Sequence, residues 1–243
     1  MKPLRVFIGF DHAESAAFYT LCSSIQRRAS VPVSIIPLAL NNLSSIYMRE
    51  RHPLQSNEFS FTRFLVPYLC GYSGPAVFMD CDMLVVDDIA NLFAQFDDRY
   101  AVQVVKHEHN PESEIKYLGT KQTRYPKKNW SSVMLFNCDE CRGLTPEYIH
   151  NANGLDLHQF KWLEGDHQIG ELPLEWNFLV DYYPFRNIES ISNLHYTEGG
   201  PYFEDYRDCS YSEVWWDEYD YMRFVARGTR RDQHFSEVAE KVG

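Results

Sequence analysis

The sequence predicts an α/β fold, a mostly parallel sheet flanked by helices. Short apolar runs ending in Gly or Asp recur through the first half, each the length of a buried strand. Segments with helical spacing separate those runs, as the crossovers of a parallel sheet require. With 243 residues, 44% of them hydrophobic and 23% charged, the chain is large enough to fill one substantial core.

Leu4–Gly9 (LRVFIG) reads as the first strand. Asp11 stands three residues before Glu14 at the head of an Ala-rich stretch, a capping-box spacing that starts a helix running to Arg28. Val33–Leu38 is the second strand. In residues 60–70, Phe61, Phe64, Leu65 and Leu69 share a helical spacing, with Pro67 to kink or shorten the helix. Residues 76–79 form a strand that runs straight into Asp80-Cys81-Asp82, residues 83–86 continue extended, and residues 89–96 turn helical. Residues 101–105 and 133–136 are further buried strands. The polar stretch between them, 107–128, carries both signs of charge and has the length of a lid. Beyond Phe136 the reading is α+β: a helix in 155–162, a strand in 191–195 and a final helix over 211–225. Trp215, Tyr219, Met222 and Ala226 lie on one face of that helix. No internal repeat or linker interrupts the chain, so residues 1–243 read as one domain with a helical C-terminal extension over 204–243.

Composition excludes several partners. A formal net charge of −11 argues against a nucleic-acid surface, which needs clustered Lys and Arg. No stretch approaches the ~20 apolar residues of a transmembrane helix. Residues 31–40 come nearest and are broken by Pro32, Ser34 and Pro37. The N-terminal stretch lacks a signal-peptide pattern. Cys22, Cys70, Cys81, Cys138, Cys141 and Cys209 follow no disulfide framework, and Cys138-x-x-Cys141 lacks the second pair that zinc needs. A reducing cytoplasm is the expected location.

The sharpest chemical signal is AVFMDCDMLVVDD. In extended backbone, residues i and i+2 face the same way, so Asp80 and Asp82 converge on one point. Convergent carboxylates repel unless a cation joins them, and oxygen ligands suit Mg²⁺ or Mn²⁺. The plain alternative is a strand end turning toward solvent, with Asp87 and Asp88 as turn residues. Aspartyl-nucleophile phosphatases of the haloacid dehalogenase-like group also place D-x-D after a buried strand, the first Asp attacking phosphorus and the second moving protons. Against that reading, Met83 and Leu84 stand where that group carries Gly and Thr, and Gly165-Asp166 is followed by Gly170 instead of Asp.

SFTRFLVPYLC and AVFMDCDMLV, spanning residues 60–85, resemble the nucleotide-sugar glycosyltransferases of GT-A fold. More narrowly they are similar to the family-8 retaining enzymes, the glycogenin and bacterial galactosyltransferase relatives. IGFDHAESAAFYTLCSSI, NWSSVMLFN, LEGDHQIGELPLEWN and LHYTEGGPYF extend the resemblance over residues 5–203. It implies a Rossmann-like GT-A domain with a metal on Asp80, Asp82 and His195, and a mixed imidazole–carboxylate set favours Mn²⁺ over Mg²⁺. It places Gly9, Phe10 and Asp11 around the base and ribose, with Arg63 and Cys81 on the donor side. Gly199 and Gly200 would offer backbone N–H groups to the phosphates. The family's Lys before the Pro is Gly200 here, which passes the cationic role to Arg63 or Lys128.

Asp166 and His167 match the catalytic position beside the transferred sugar, with Gln168 next to it. Trp130, Ser131 and Ser132 match the sugar pocket. Each position also has a structural alternative: Asp11 a helix cap, Asp166 a turn, Gly199-Gly200 a tight turn, Trp130 a core side chain. Tyr211, Trp215, Trp216, Tyr219 and Tyr221 either meet an acceptor or dock the last helix. The implied activity is metal-dependent transfer from a UDP-sugar, with retention, to a glycan, lipid-linked or small-molecule acceptor; a homodimer is compatible with it. The functional alternative is a metal- and nucleotide-binding module without transfer activity.

Overall fold

The computed structural model describes residues 2–50, 55, 57–108 and 126–223. Strand β1 (Leu4–Gly9) is buried from Val6 onward. Asp11 caps a 3-10 turn, accepting from the Ala13 N–H at 2.9 Å, and α1 (Ser15–Arg28) follows. Glu14 is buried and accepts from the Tyr202 hydroxyl at 2.9 Å. Strand β2 (Val33–Leu38) pairs parallel with β1 along its whole length. Residues 60–70 yield only a 3-10 turn (Thr62–Leu65) and one α turn, α2 (Val66–Leu69). Pro67 lies in that first turn, where its missing N–H has no partner to lose.

Strand β3 (Pro75–Met79) lies parallel to β1 on its other side. Then come β4 (Met83–Val85), α3 (Ile89–Phe93), β5 (Val102–Val104) and β6 (Val133–Asn137). The second half supplies α4 (Pro146–Asn151), α5 (Gly154–His158), β7 (Ile169–Glu171), β8 (Phe178–Leu179), β9 (Asn193–His195) and α6 (Ser212–Met222). A six-stranded sheet has the order β2-β1-β3-β6-β5-β7, and a second sheet the order β4-β9-β8. In the larger sheet β6 runs antiparallel to both neighbours and the other pairs are parallel, so the sheet is mixed and mostly parallel, as expected. The expected lid over 107–128 falls largely outside the described residues, as do Ala226, the end of the final helix and the C-terminal extension beyond Arg223.

Two apolar clusters hold these layers. The larger fills the space around β1, β3 and β6 with Val6, Ile8, Val77, Phe78, Leu135 and Phe136. The smaller gathers Leu84, Phe178, Leu194, Tyr196, Tyr211 and Trp215. Full burial of each such side chain is worth about 1.5–3 kcal/mol. Trp215 lies buried in the second cluster and stacks on Tyr219 at 5.1 Å, so the aromatic face docks α6. Buried Glu218 ties α6 to α1 through Arg27 at 3.2 Å, Arg28 at 2.7 Å and the Ser23 hydroxyl at 2.9 Å. Among the described residues, no helix is long and apolar enough to cross a membrane.

Candidate active site

Strands β3 and β4 belong to different sheets, and Asp80-Cys81-Asp82 is the crossing between them. The two carboxylates were expected to converge through extended backbone. Instead the chain bends at Cys81 and Asp82. The bend matters because β4 pairs antiparallel with β9, Met83 opposite His195, and the Tyr196 N–H donates to the Asp82 carbonyl at 2.9 Å. A regular pleat would send Asp82 and His195 to opposite faces. The bend turns Asp82 back, and Asp82 Oδ1 lies 3.3 Å from His195 Nε2. Asp80, Asp82 and His195 each present a ligand atom within 4.8 Å of the others. Two carboxylates and an imidazole are a donor set that fits Mn²⁺ or another divalent cation. Cys81, expected on the donor side, is buried in the core. Burial pushes its thiol well up, leaving a small neutral apolar group.

Arg63 completes the charge pattern. It is buried, its Nη1 is 2.8 Å from Asp80 Oδ1, and the same nitrogen donates to the Ser131 carbonyl at 2.9 Å. Its guanidinium faces the rings of Phe78 and Phe59 at 4.9 and 5.4 Å from their centroids. Arg63 therefore partners Asp80 directly. His195 Nδ1 meets Asn177 Oδ1 at 2.8 Å, and Asn177 Nδ2 donates to the Ser132 hydroxyl at 2.9 Å. Thus Ser131 and Ser132, expected in the sugar pocket, brace the residues around the cluster through a carbonyl and a hydroxyl.

Sequence reasoning missed Asn177 and His158 as members of this network. His158 lies at the end of α5, its Nδ1 2.8 Å from the Ser131 hydroxyl and its ring edge-on to Phe64. Burial, with the Arg63 and Arg49 charges nearby, pushes its imidazole down to about 3, so it is neutral at pH 7. Asn177 is fully buried, and an amide set directly ahead of the apolar run Phe-Leu-Val was a usable signal for it. His158 carried none.

The remaining expected residues occupy other settings. Both Asp11 oxygens are engaged by backbone, the Ala13 N–H and the Glu58 N–H at 3.0 Å. Gly9 makes room for Phe59, whose ring lies 2.3 Å from where a Cβ would stand. Phe10 is half-buried and edge-on to Phe18 and His12. Gly199 takes φ +143°, a conformation side chains disfavour, and its N–H closes a turn on the Tyr196 carbonyl at 3.0 Å. A Cβ on Gly200 would stand 2.2 Å from the Tyr202 ring. Aromatic packing and turn geometry thus account for both glycines without a phosphate. Lys128, expected as a phosphate cation, is buried. Trp130 donates its indole N–H to the His107 carbonyl at 3.0 Å and lies beside Lys127.

Asp166, His167 and Gln168 form a separate 3-10 turn. Asp166 is exposed and ion-paired with Lys127, His167 is exposed, and Gln168 Oε1 accepts from the Glu164 N–H at 2.8 Å. A cleft of about 390 Å³ borders this turn, lined by Lys127, Phe160, Gly165 and Asp166 among others. The side chains of Asp166 and Gln168 are thus engaged by Lys127 and Glu164, and not by the carboxylate–histidine cluster.

Comparison with known proteins fits this architecture. No protein-family model matches the chain. Among solved structures it superposes on the bifunctional glycosyltransferase WbbM with a TM-score of 0.62 at 15% identity, covering 89% of this chain and 49% of that one. The glycosyltransferase GlyE of Streptococcus pneumoniae TIGR4 gives 0.60 at 15% identity over 98% of this chain and 64% of its own. The galactosyltransferase LgtC, solved with donor and acceptor sugar analogs, gives 0.53 at 10% identity over 93% and 99%. The chain thus spans about half of WbbM and just under two-thirds of GlyE, and the shared feature is the GT-A fold expected from the sequence. At the level of sequence, Protein CDI of Arabidopsis thaliana is 42% identical over 224 residues, covering 89% of this chain and 86% of that protein. On that identity and coverage, the chain belongs to the family of Arabidopsis thaliana Protein CDI.

Proposed function

We propose that the chain is a metal-dependent glycosyltransferase that moves a hexose from a UDP-sugar to an acceptor with retention of configuration. The observation that carries this reading is the Asp80–Asp82–His195 cluster at the junction of the two sheets of a GT-A fold. A divalent cation on those three residues, Mn²⁺ in preference to Mg²⁺, would supply Lewis-acid stabilisation to a diphosphate leaving group. The chain's own residues do the rest. Arg63 holds Asp80 in place and offsets its charge. Gly9, Phe10 and Asp11, at the carboxyl end of β1, take the base and ribose, as ligands do in open α/β sheets. Gly199 and Gly200 line the diphosphate side, with Cys81 buried behind Asp80 and Asp82. Trp130 faces the sugar side, which Ser131 and Ser132 brace through Arg63 and Asn177, and Asp166 with His167 and Gln168 orients the sugar hydroxyls and stabilises positive charge at the anomeric carbon. The cleft beside Asp166 is where a glycan, lipid-linked or small-molecule acceptor would enter. A cytoplasmic enzyme of one domain, able to pair as a homodimer, completes the reading.

The test is a thermal-shift series with UDP-, GDP- and CMP-sugars, with and without Mn²⁺, followed by assay of donor turnover. A UDP-sugar at 100 times its dissociation constant should add about 2.7 kcal/mol of stability, lost on chelation. No shift with any donor overturns the reading. A shift without turnover identifies a silent binding module. Release of phosphate from a monoester, dependent on Asp80 and indifferent to His195→Ala, identifies an aspartyl-nucleophile phosphatase instead.

A further inference from the structure

We propose that Asn177 is a positioning residue that selects the tautomer of His195, placing the ring proton on Nδ1 and a lone pair on Nε2 facing Asp80 and Asp82. The inference rests on the metal-site reading above and adds what makes the histidine a ligand at all.

A neutral imidazole has one ring proton to donate. Two acceptors compete for it: Asn177 Oδ1, 2.8 Å from Nδ1, and Asp82 Oδ1, 3.3 Å from Nε2. Charge favours the carboxylate, because hydrogen bonds to ionised acceptors are the stronger ones. A proton on Nε2 would leave no lone pair there to coordinate anything.

The amide orientation of Asn177 decides the contest. Its Nδ2 donates to the Ser132 hydroxyl at 2.9 Å and to the Asn129 carbonyl at 3.3 Å. A carbonyl only accepts, so the atom facing it must carry hydrogen. The Ser132 hydroxyl spends its own proton on the same Asn129 carbonyl at 2.6 Å, so toward Asn177 it too is an acceptor. Flipping the amide would set an acceptor against two acceptors inside a fully buried site, where an unmet polar group loses its hydration with nothing in return. Oδ1 is therefore locked toward His195. A proton on Nε2 would then leave Nδ1 and Oδ1 facing each other as two acceptors at 2.8 Å. The proton belongs on Nδ1, and Nε2 is left as an acceptor beside a carboxylate, an arrangement that a cation satisfies.

The role is tested first without metal. Histidine-labelled, metal-free full-length chain is examined by ¹⁵N NMR at a pH where the ring is neutral. Wild type should show the Nδ1–H signature, and Asn177→Ala should move to Nε2–H. In a parallel Mn²⁺ titration, Asn177→Ala should bind about 10–100-fold more weakly, the usual cost of losing an outer partner of a ligating histidine. An Nε2–H signature in wild type overturns the proposal, as does unchanged Mn²⁺ affinity in folded Asn177→Ala. If Asn177→Ala does not fold, the wild-type signature alone decides. If wild type binds no Mn²⁺, the metal reading fails, while the ring signature still judges Asn177.

Discussion

The cluster at the sheet junction and the turn at residues 165–168 are both assigned to the sugar donor, yet they are built in opposite ways. The side chains of Arg63 and His195 are 5% and 2% exposed, whereas that of Asp166 is 75% exposed. At the junction, polar atoms meet partners that are themselves anchored to backbone: Arg63 on the Ser131 carbonyl, His195 on Asn177, Asn177 on Asn129. At the turn, one carboxylate left mostly in solvent meets Lys127, which also donates to the Gln159 carbonyl at 3.0 Å. Buried networks act in a low dielectric and hold a single geometry, and exposed pairs contribute little and rearrange. Under the proposed function, the leaving-group chemistry falls to a preset site and the sugar contacts to an adjustable one.

Several substitutions break or sharpen that contrast. Asp82→Ala and His195→Ala should each reduce Mn²⁺-dependent UDP-sugar binding by more than about 100-fold, since metal stabilisation of the diphosphate is worth several kcal/mol. Calorimetric titration measures it, and tight metal-dependent binding by Asp82→Ala would remove the distinction. Arg63→Ala leaves the mostly buried Asp80 carboxylate without its cation and should cost about 3 kcal/mol in urea unfolding. The loss should shrink when Mn²⁺ is present, because a second cation then neutralises the same carboxylate.

His158 gives a pH-dependent test. Its imidazole is held at about 3, against 6.5 for the free group. As pH falls below 6.5 the unfolded chain takes the proton and the folded chain refuses it, so stability declines with acid until pH approaches 3. At one pH unit per about 1.4 kcal/mol, the contribution lost by pH 5 is about 2 kcal/mol. His158→Gln should flatten that part of the unfolding-midpoint profile. The smallest stability effect belongs to the turn: Asp166→Asn should change stability by less than about 1 kcal/mol and leave Mn²⁺ binding intact. Turnover should nevertheless fall if Asp166 works on the sugar.

What was legible in the sequence follows from the same physics. Strands β1, β2 and β3 announce themselves as short, largely apolar runs, as strands of parallel pairs do. Asp80 and Asp82 stand out because carboxylates interrupt such a run, although the backbone device that converges them is a bend and not a pleat. Elements α4, β7 and β8 span six, three and two residues, too short to show a period. His195 emerged only through the resemblance, since nothing local separates it from an ordinary strand-end histidine. Asn177 and His158 were hidden for a different reason. Their roles are set by Ser132 and Ser131, 45 and 27 residues away, and no spacing rule reaches that far.

The register of β4 on β9 has a consequence for how the molecule opens. His195 arrives opposite Met83, with Leu84 on Leu194 and Val85 on Asn193, while Asp80 hangs from the end of β3 in the other sheet. Asp80, Asp82 and His195 therefore straddle the seam between two separately packed apolar clusters. A cation bound there would act as a rivet across that seam. Opening the small sheet alone would then require releasing the ion, so local and global unfolding should merge. Slower amide hydrogen exchange at Leu194 and Tyr196 on adding Mn²⁺, with unchanged exchange in Asp82→Ala, is the expected sign.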